Sequence, residues 1–380
     1  MVSNVLSKLS TAGSKAKHAR CLILALFFLA TSAAAQTPIP ADASAKISRI
    51  VDDAMKSQQI PAMTVAVGSG EKIIYTNAFG TADLENGVPA TVETLIRTGS
   101  IAKPIAAAAA MTLVDAGKLD LDVPIQKYCA AFPVKQWPIT TRQLLSHTSG
   151  IRHYKDDEID STRHFNSMAD GFAIFASDPL LFEPGTAFSY STYGYTVVGC
   201  VIEGASGQKF EDYVAEHVLK PARMTHTFVD DVFHIIPHRA RGYHKIDGQV
   251  RNAGLMDSSY KIPGGGYTTT AEDLVRFAQA MMDGKIVKPE TAEQMWTPAK
   301  VTGAGKQSTY GLGFGVLMPK GGKYVAHGGG QQGTSTLLVI IPEQHFAVAA
   351  LANMDGVDPG EVVSAILALF NMPTPKSETR

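Results

Sequence analysis

Ser100-Ile101-Ala102-Lys103 places a hydroxyl and an amine three residues apart. On a helix that spacing puts both side chains on one face, within reach of each other. The pattern alone carries little weight, because Ser-x-x-Lys also starts at Ser14, Ser69, Ser206 and Ser258. Only Ser100 opens a long apolar stretch: from Ile101 to Val114 the one charged residue is Lys103. A helix N-terminus favours developing negative charge. A helix apolar almost all round buries Lys103, which depresses its pKa and supplies a neutral amine as base. The bland alternative is an N-capping Ser100 with Lys103 snorkelling to solvent.

Other chemistries lack their residues. There is no G-x-S-x-G elbow, no G-x-x-x-x-G-K, no G-x-G-x-x-G after a strand, and no H-E-x-x-H or H-x-H. His234 and His238 are four apart, but Pro237 intervenes and both read as ordinary polar residues. Three cysteines give no CxxC spacing and no disulfide framework. No metal and no cofactor is expected.

Two further segments stand downstream of Ser100. One is Tyr190-Ser191-Thr192, within Phe182-Glu183-Pro184-Gly185-Thr186 and Phe188 to Tyr195. The other is His327-Gly328-Gly329, at the end of a strand and followed by more glycine. Between them and Ser100 lies Gln143-Leu144-Leu145-Ser146-His147-Thr148-Ser149-Gly150-Ile151. In this order the motifs resemble those of the serine β-lactamase-like hydrolases: class C β-lactamases, D-Ala-D-Ala carboxypeptidases, D-aminopeptidases and related esterases. Within that group the chain is most similar to the mitochondrial LACTB type. That type also carries Tyr-Ser-Thr and a segment like Asp257 to Lys261 with Gly264-Gly265-Gly266-Tyr267. The resemblance spans roughly residues 45–370.

The resemblance implies that Ser100 attacks an acyl carbonyl and forms an acyl-enzyme. Lys103 would take or relay its proton. Tyr190, as phenolate beside Lys103, would share acid and base duties. His327 would replace a lysine as an electrostatic or hydrogen-bonding group. The oxyanion hole would be the N–H groups of Ser100 and of Gly330, just after Gly328-Gly329. Thr192, Gly328, Gly329 and Gly330 would bind substrate. Two departures from the family pattern matter. Thr192 stands where the family has Asn, and Gly328 where it has Thr. A missing partner on a buried substrate group costs about 1–3 kcal/mol. The losses weaken the case for efficient β-lactam or D-Ala-D-Ala turnover and leave the acylation residues intact. Gly328 also opens room that suits a bulkier peptide or an ester. The resemblance places the His147 segment away from the chemistry, and its Ser, Thr and Gly read as a structural turn.

These groups need a scaffold. The chain has 380 residues, 45% hydrophobic and 18% charged, with formal charge −1. That is ordinary globular material, and it gives no electrostatic case for nucleic-acid binding. Residues 1–35 read as a cleaved export signal. Lys8, Lys15, Lys17 and Arg20 precede the apolar run Cys21 to Ala30, and Ala33-Ala34-Ala35 offers a cleavage site before Gln36. The run is too short for a comfortable membrane span. The destination is the bacterial periplasm or the exterior, with a mitochondrial transit peptide as the alternative. Removing the leader leaves 30 basic and 35 acidic residues, net −5. Cys129 and Cys200 remain, either paired or as two buried thiols.

Residues 63–67 and 72–79 read as a hairpin around Gly68 to Glu71. A helix over 270–283 is expected, with Thr269 and Glu272 as a capping box and Gly284 as its stop. Strands are expected at 310–317, 323–326, 334–341 and 346–352, and a last helix near 360–370. Strands at both ends and helices between predict an α+β fold of the β-lactamase/transpeptidase type. Its antiparallel sheet would come from 43–103 and 301–372, flanked by helices, with 104–300 as an inserted, mainly helical domain. The expected partner is a small-molecule or peptide substrate, and neither nucleic acid nor a membrane span after leader removal is expected. The sequence does not specify the oligomeric state.

Overall fold

A computed structural model describes residues 42–155, 158–303 and 308–374. The expected leader and its cleavage site lie outside these residues. No described helix is long and apolar enough to cross a membrane.

The two ends of the chain build one seven-stranded sheet. Its order is Val88–Pro89, Lys72–Asp83, Ala62–Ser69, Phe346–Ala352, Thr334–Ile341, Tyr324–Gln331 and Gly315–Leu317. Every neighbouring pair is antiparallel. Both faces are covered, so the central strands are buried along their whole length. Alternate residues serve different cores. Val65, Val67, Val339 and Val348 pack with helices Ala43–Gln58 and Pro359–Leu369. Ala66, Leu338, Ala347 and Leu351 face the core that holds helix Ala102–Asp115. That helix buries eleven of its fourteen residues. Its alanines suit a helix packed on every side, because small side chains let neighbouring backbones approach.

The expected elements recur with instructive shifts. The hairpin strands are Ala62–Ser69 and Lys72–Asp83. The cap of helix Ala271–Met282 is Thr270, which accepts the Asp273 N–H, not a Thr269–Glu272 box. Thr269 instead ends a short strand that pairs with Ile96–Arg97. Only Gly315–Leu317 of the expected strand at 310–317 is extended. Gly313, at φ +90°, breaks the run, and a Cβ there would meet Ala107 Cβ at 2.5 Å. The strand expected at 323–326 runs on through the glycines to Gln331, so His327 lies inside it rather than at its end. The sequence reading missed helix Ala43–Gln58, whose apolar stripe is Ala43, Ile47, Val51 and Ala54.

Cys129 and Cys200 are disulfide-bonded, with Cα atoms 5.4 Å apart. The bond ties the Cys129 loop to helix Thr192–Ser206, which Tyr190-Ser191 precedes.

Candidate active site

Ser100 sits in a 3₁₀ turn, Gly99–Ile101, that runs straight into helix Ala102–Asp115. The turn needs Gly99. Its φ is +51°, and a Cβ there would come within 2.8 Å of Gly330 N. A Cβ on Gly329 would overlap the Thr98 carbonyl oxygen and the Thr336 hydroxyl, and would stand 3.1 Å from Ser100 N. The glycine strand therefore passes in backbone contact with the serine turn. Ser100 N and Gly330 N, the expected oxyanion donors, come from these two touching segments. Gly328 and Gly330 are exposed on the open side.

Lys103 Nζ lies 3.0 Å from Ser100 Oγ, 3.0 Å from Thr192 Oγ1 and 2.8 Å from the Gly264 carbonyl oxygen. Lys103 is fully buried. Burial, with the charge of Lys261 behind it, holds its pKa well below the usual 10.5. A neutral amine has two N–H donors and one lone pair. Thr192 and Gly264 supply the two acceptors, so the lone pair is left for the Ser100 hydroxyl. Thr192 thus orients the amine, and its side chain is buried against Gly264.

Tyr190 closes the other side of Lys103, whose Nζ lies 4.8 Å from its ring centre. Burial raises the phenol above its usual pKa of 10, with only the nearby Ser100 side chain pulling it down. Burial thus favours the protonated phenol, suited to giving a proton, over the phenolate that the resemblance implies.

His327 is likewise neutral. Burial, then the charge of Lys103, lowers it to about 3. Its Nδ1–H donates to the Gly328 carbonyl oxygen at 2.6 Å, and its Nε2 accepts from the Tyr310 hydroxyl at 2.8 Å. It acts by hydrogen bonding and not as a fixed cation.

His147 lies against the chemistry, not away from it. Its ring is 4.2 Å from that of Tyr190 and 4.7 Å from that of Tyr310. Its Nδ1 accepts the Ser191 N–H at 3.1 Å, and its carbonyl accepts the Ser189 N–H at 2.9 Å. The turn reading was right about the backbone, which is left-handed at His147 with φ +59°. The placement was wrong because the resemblance said nothing of how residues 147 and 189–191 pair. His153 repeats the contact one residue on, accepting the Thr192 N–H at 3.2 Å. Two histidines therefore grip the two residues that follow Tyr190.

The sequence reading also missed Tyr310, His153 and Lys261. Lys261 is buried on the carbonyl of Ile159 and the Met256 sulfur, and burial lowers it to about 7. Its Ser-x-x-Lys pattern was visible but gave no sign that it lies near Lys103. His234 pairs with Asp231 and His238 with Glu93. Among the described residues no cluster of three or more His, Cys, Asp or Glu is arranged to hold a metal.

Against known proteins, the chain matches the Beta-lactamase family model over residues 47–369. It is 30% identical over 379 residues to the human serine beta-lactamase-like protein LACTB, mitochondrial, covering 75% of this chain and 69% of that protein. Among solved structures it is similar to the octameric penicillin-binding protein homologue from Pyrococcus abyssi. The TM-score there is 0.74 at 25% identity, over 87% of this chain and 78% of the other. The D-amino acid amidase from Ochrobactrum anthropi SV3, complexed with L-phenylalanine amide, gives a TM-score of 0.72 at 24% identity. That match covers 86% of this chain and 97% of the other, and it shows a shared fold.

Proposed function

The chain belongs to the Beta-lactamase family, and from that premise we propose that it is a serine hydrolase that cleaves an amide or ester bond through a covalent acyl-enzyme. One observation carries the reading: Lys103 Nζ, buried and with both N–H donors matched, lies 3.0 Å from Ser100 Oγ. Lys103 takes the serine proton as Ser100 attacks the carbonyl carbon. The oxygen that gains charge is held by Ser100 N–H and Gly330 N–H. Tyr190, a protonated phenol, gives its proton to the leaving group and regains one from the water that releases the acyl group, while Lys103 returns the serine proton to Ser100 Oγ as it leaves. His327 keeps Tyr310 and the glycine strand in place. No metal and no cofactor enters this scheme.

Peptides and D-amino-acid amides are the first substrates to try, because the fold is shared with a D-amino acid amidase. Esters form the second class. Gly328 and Gly330 leave the groove beside the oxyanion strand open, with no atom within 4 Å of a Cβ built on Gly330. The Cys129–Cys200 bond favours an oxidising compartment, which fits export to the periplasm or exterior and also a mitochondrial location outside the matrix.

The test is fluorophosphonate labelling of the protein, with the adduct mapped by peptide mass and Ser100→Ala beside it. The reading expects one adduct, on Ser100, absent from the variant. An adduct elsewhere, or none, withdraws it in favour of a penicillin-binding-like module that binds without turnover.

A further inference from the structure

Arg97 stands three residues before Ser100, in the short strand Ile96–Arg97. Its carbonyl accepts the Thr334 hydroxyl at 3.0 Å, which ties it to the strand beyond Gly330. Its Nε donates to Asp230 Oδ2 at 2.7 Å. Arg239 donates to the other oxygen, Oδ1, at 3.1 Å. The Asp230 side chain is wholly buried, so one carboxylate fixes two guanidinium groups. Arg239 spends its terminal nitrogens on Asp230 and on the carbonyls of Asp231 and His234. Arg97 does not. Neither of its terminal nitrogens makes a hydrogen bond among the described residues.

Both arginines wall a cavity of about 580 Å³. Ser100, Lys103, Tyr190 and His327 do not line it. Gly333 does, three residues past Gly330, so the cavity begins where the oxyanion strand turns back. Its apolar wall is Ile96, Val232, Phe233, Leu255 and Met256. Phe233 is 73% exposed and Leu255 87%, a rim of apolar surface that water covers poorly. The other charged groups nearby are already matched. Arg241 pairs with Glu85, His164 with Asp257, and Asp231 with His234.

Resting on the serine-hydrolase reading, we propose that this cavity is the subsite for a carboxylate carried on a short apolar arm of the substrate. The two free nitrogens of Arg97 form a fork that matches a carboxylate, and its Nε contact with buried Asp230 pre-sets the fork. Ile96, Phe233 and Met256 cover the arm. The substrate class is then a peptide or ester with an anionic end beyond the scissile bond. A neutral one fills the cavity without using the fork.

The experiment compares esters of matched length. One series carries a free carboxylate on the acyl side, as mono-p-nitrophenyl esters of dicarboxylic acids, or on the leaving side, as thioglycolate esters. The other series is neutral. The expected result is a kcat/KM preference of about tenfold for a carboxylate on one of the two sides, lost in Arg97→Gln and partly kept in Arg97→Lys. The preference is a ratio, so a variant that merely folds less well does not mimic the loss. Calorimetric binding of hexanoate against hexanamide gives a second readout that needs no turnover. Tighter hexanoate binding that Arg97→Gln removes supports the subsite. Equal handling of charged and neutral esters, with Ser100 still labelled, overturns the subsite and leaves the hydrolase. A preference that survives Arg97→Gln also overturns it. If neither series is turned over and Ser100 is not labelled, the hydrolase reading fails, and hexanoate binding alone decides the subsite.

Discussion

The His147 ring packs 4.2 Å from the Tyr190 ring, and its Nδ1 holds the N–H of the residue that follows Tyr190 at 3.1 Å. A histidine that accepts on Nδ1 must be neutral, with its proton on Nε2. His153 does the same for Thr192. The proposed proton donor is thus positioned by two neutral imidazoles that hold the backbone N–H groups of the two residues after it, Ser191 and Thr192. His147→Ala removes the ring and leaves the buried Ser191 N–H unpaired, a cost of about 1–3 kcal/mol. The expected outcome is a fall in kcat larger than the change in KM, with a lower melting temperature. His147→Asn, which offers an acceptor, should recover part of both. An unchanged kcat in the alanine variant would count against the clamp.

The same bonds give stability a pH dependence. His153 is lowered from 6.5 to about 4, by burial first and then by the charges of Lys103 and Lys261. Between those values the unfolded chain binds a proton that the folded chain refuses. Stability therefore falls as pH drops from about 6.5 towards 4. Burial pushes His147 and His327 in the same direction. Urea unfolding at pH 7 and pH 5 should show the lower midpoint at pH 5, and His153→Gln should narrow the gap. Equal midpoints at the two pH values would refute the assignment.

Activity should have an acid limb of its own. Lys103 must be neutral to accept the Ser100 proton, so the rate falls as pH drops through its depressed pKa. The positive charge of Lys261 helps to keep that pKa low. Lys261→Met removes the charge, so the acid limb of kcat/KM should move to higher pH. Lys103→Ala should slow Ser100 labelling by about 100-fold or more. A limb that stays in place in Lys261→Met would show that Lys103 does not set it.

Gly329→Ala inserts a Cβ into the Thr98 carbonyl oxygen and the Thr336 hydroxyl, beside Ser100 N. Overpacking of this kind costs about 1–3 kcal/mol. It should also spread the oxyanion strand from the serine turn and lower the labelling rate. Chemical denaturation and labelling, run side by side, measure both losses.

Cys129 and Cys200 are 71 residues apart in sequence, and their bond closes a long loop. Breaking such a bond typically costs about 2–4 kcal/mol. Reduction, or a Cys129→Ser/Cys200→Ser double variant, should lower the unfolding midpoint accordingly. Peptide mapping without reductant should recover the joined pair, and free thiols at both positions would refute it.

The sequence by itself determined the chemistry-bearing types and the elements with strong local patterns. An apolar helix opened by Ser100 is visible because burial on all sides leaves a composition with one lysine in it. The terminal strands are legible because their β-branched and apolar runs end in turn residues. The antiparallel sheet from both chain ends follows from their distribution. What the tertiary structure decided is what depends on contacts between distant segments. That Tyr190 is a phenol and His327 neutral follows from the burial of both and from Lys103 beside His327, which no local pattern carries. That Thr192 serves Lys103 requires residues 103, 192 and 264 to converge. That His147 grips the Tyr190 segment depends on a turn meeting a loop more than forty residues away. The strand expected from 310 begins only at Gly315 for the same reason, since the left-handed Gly313, backed by Ala107, breaks the run before it. Periodicity reports which face of an element is buried, and only the folded chain reports against what.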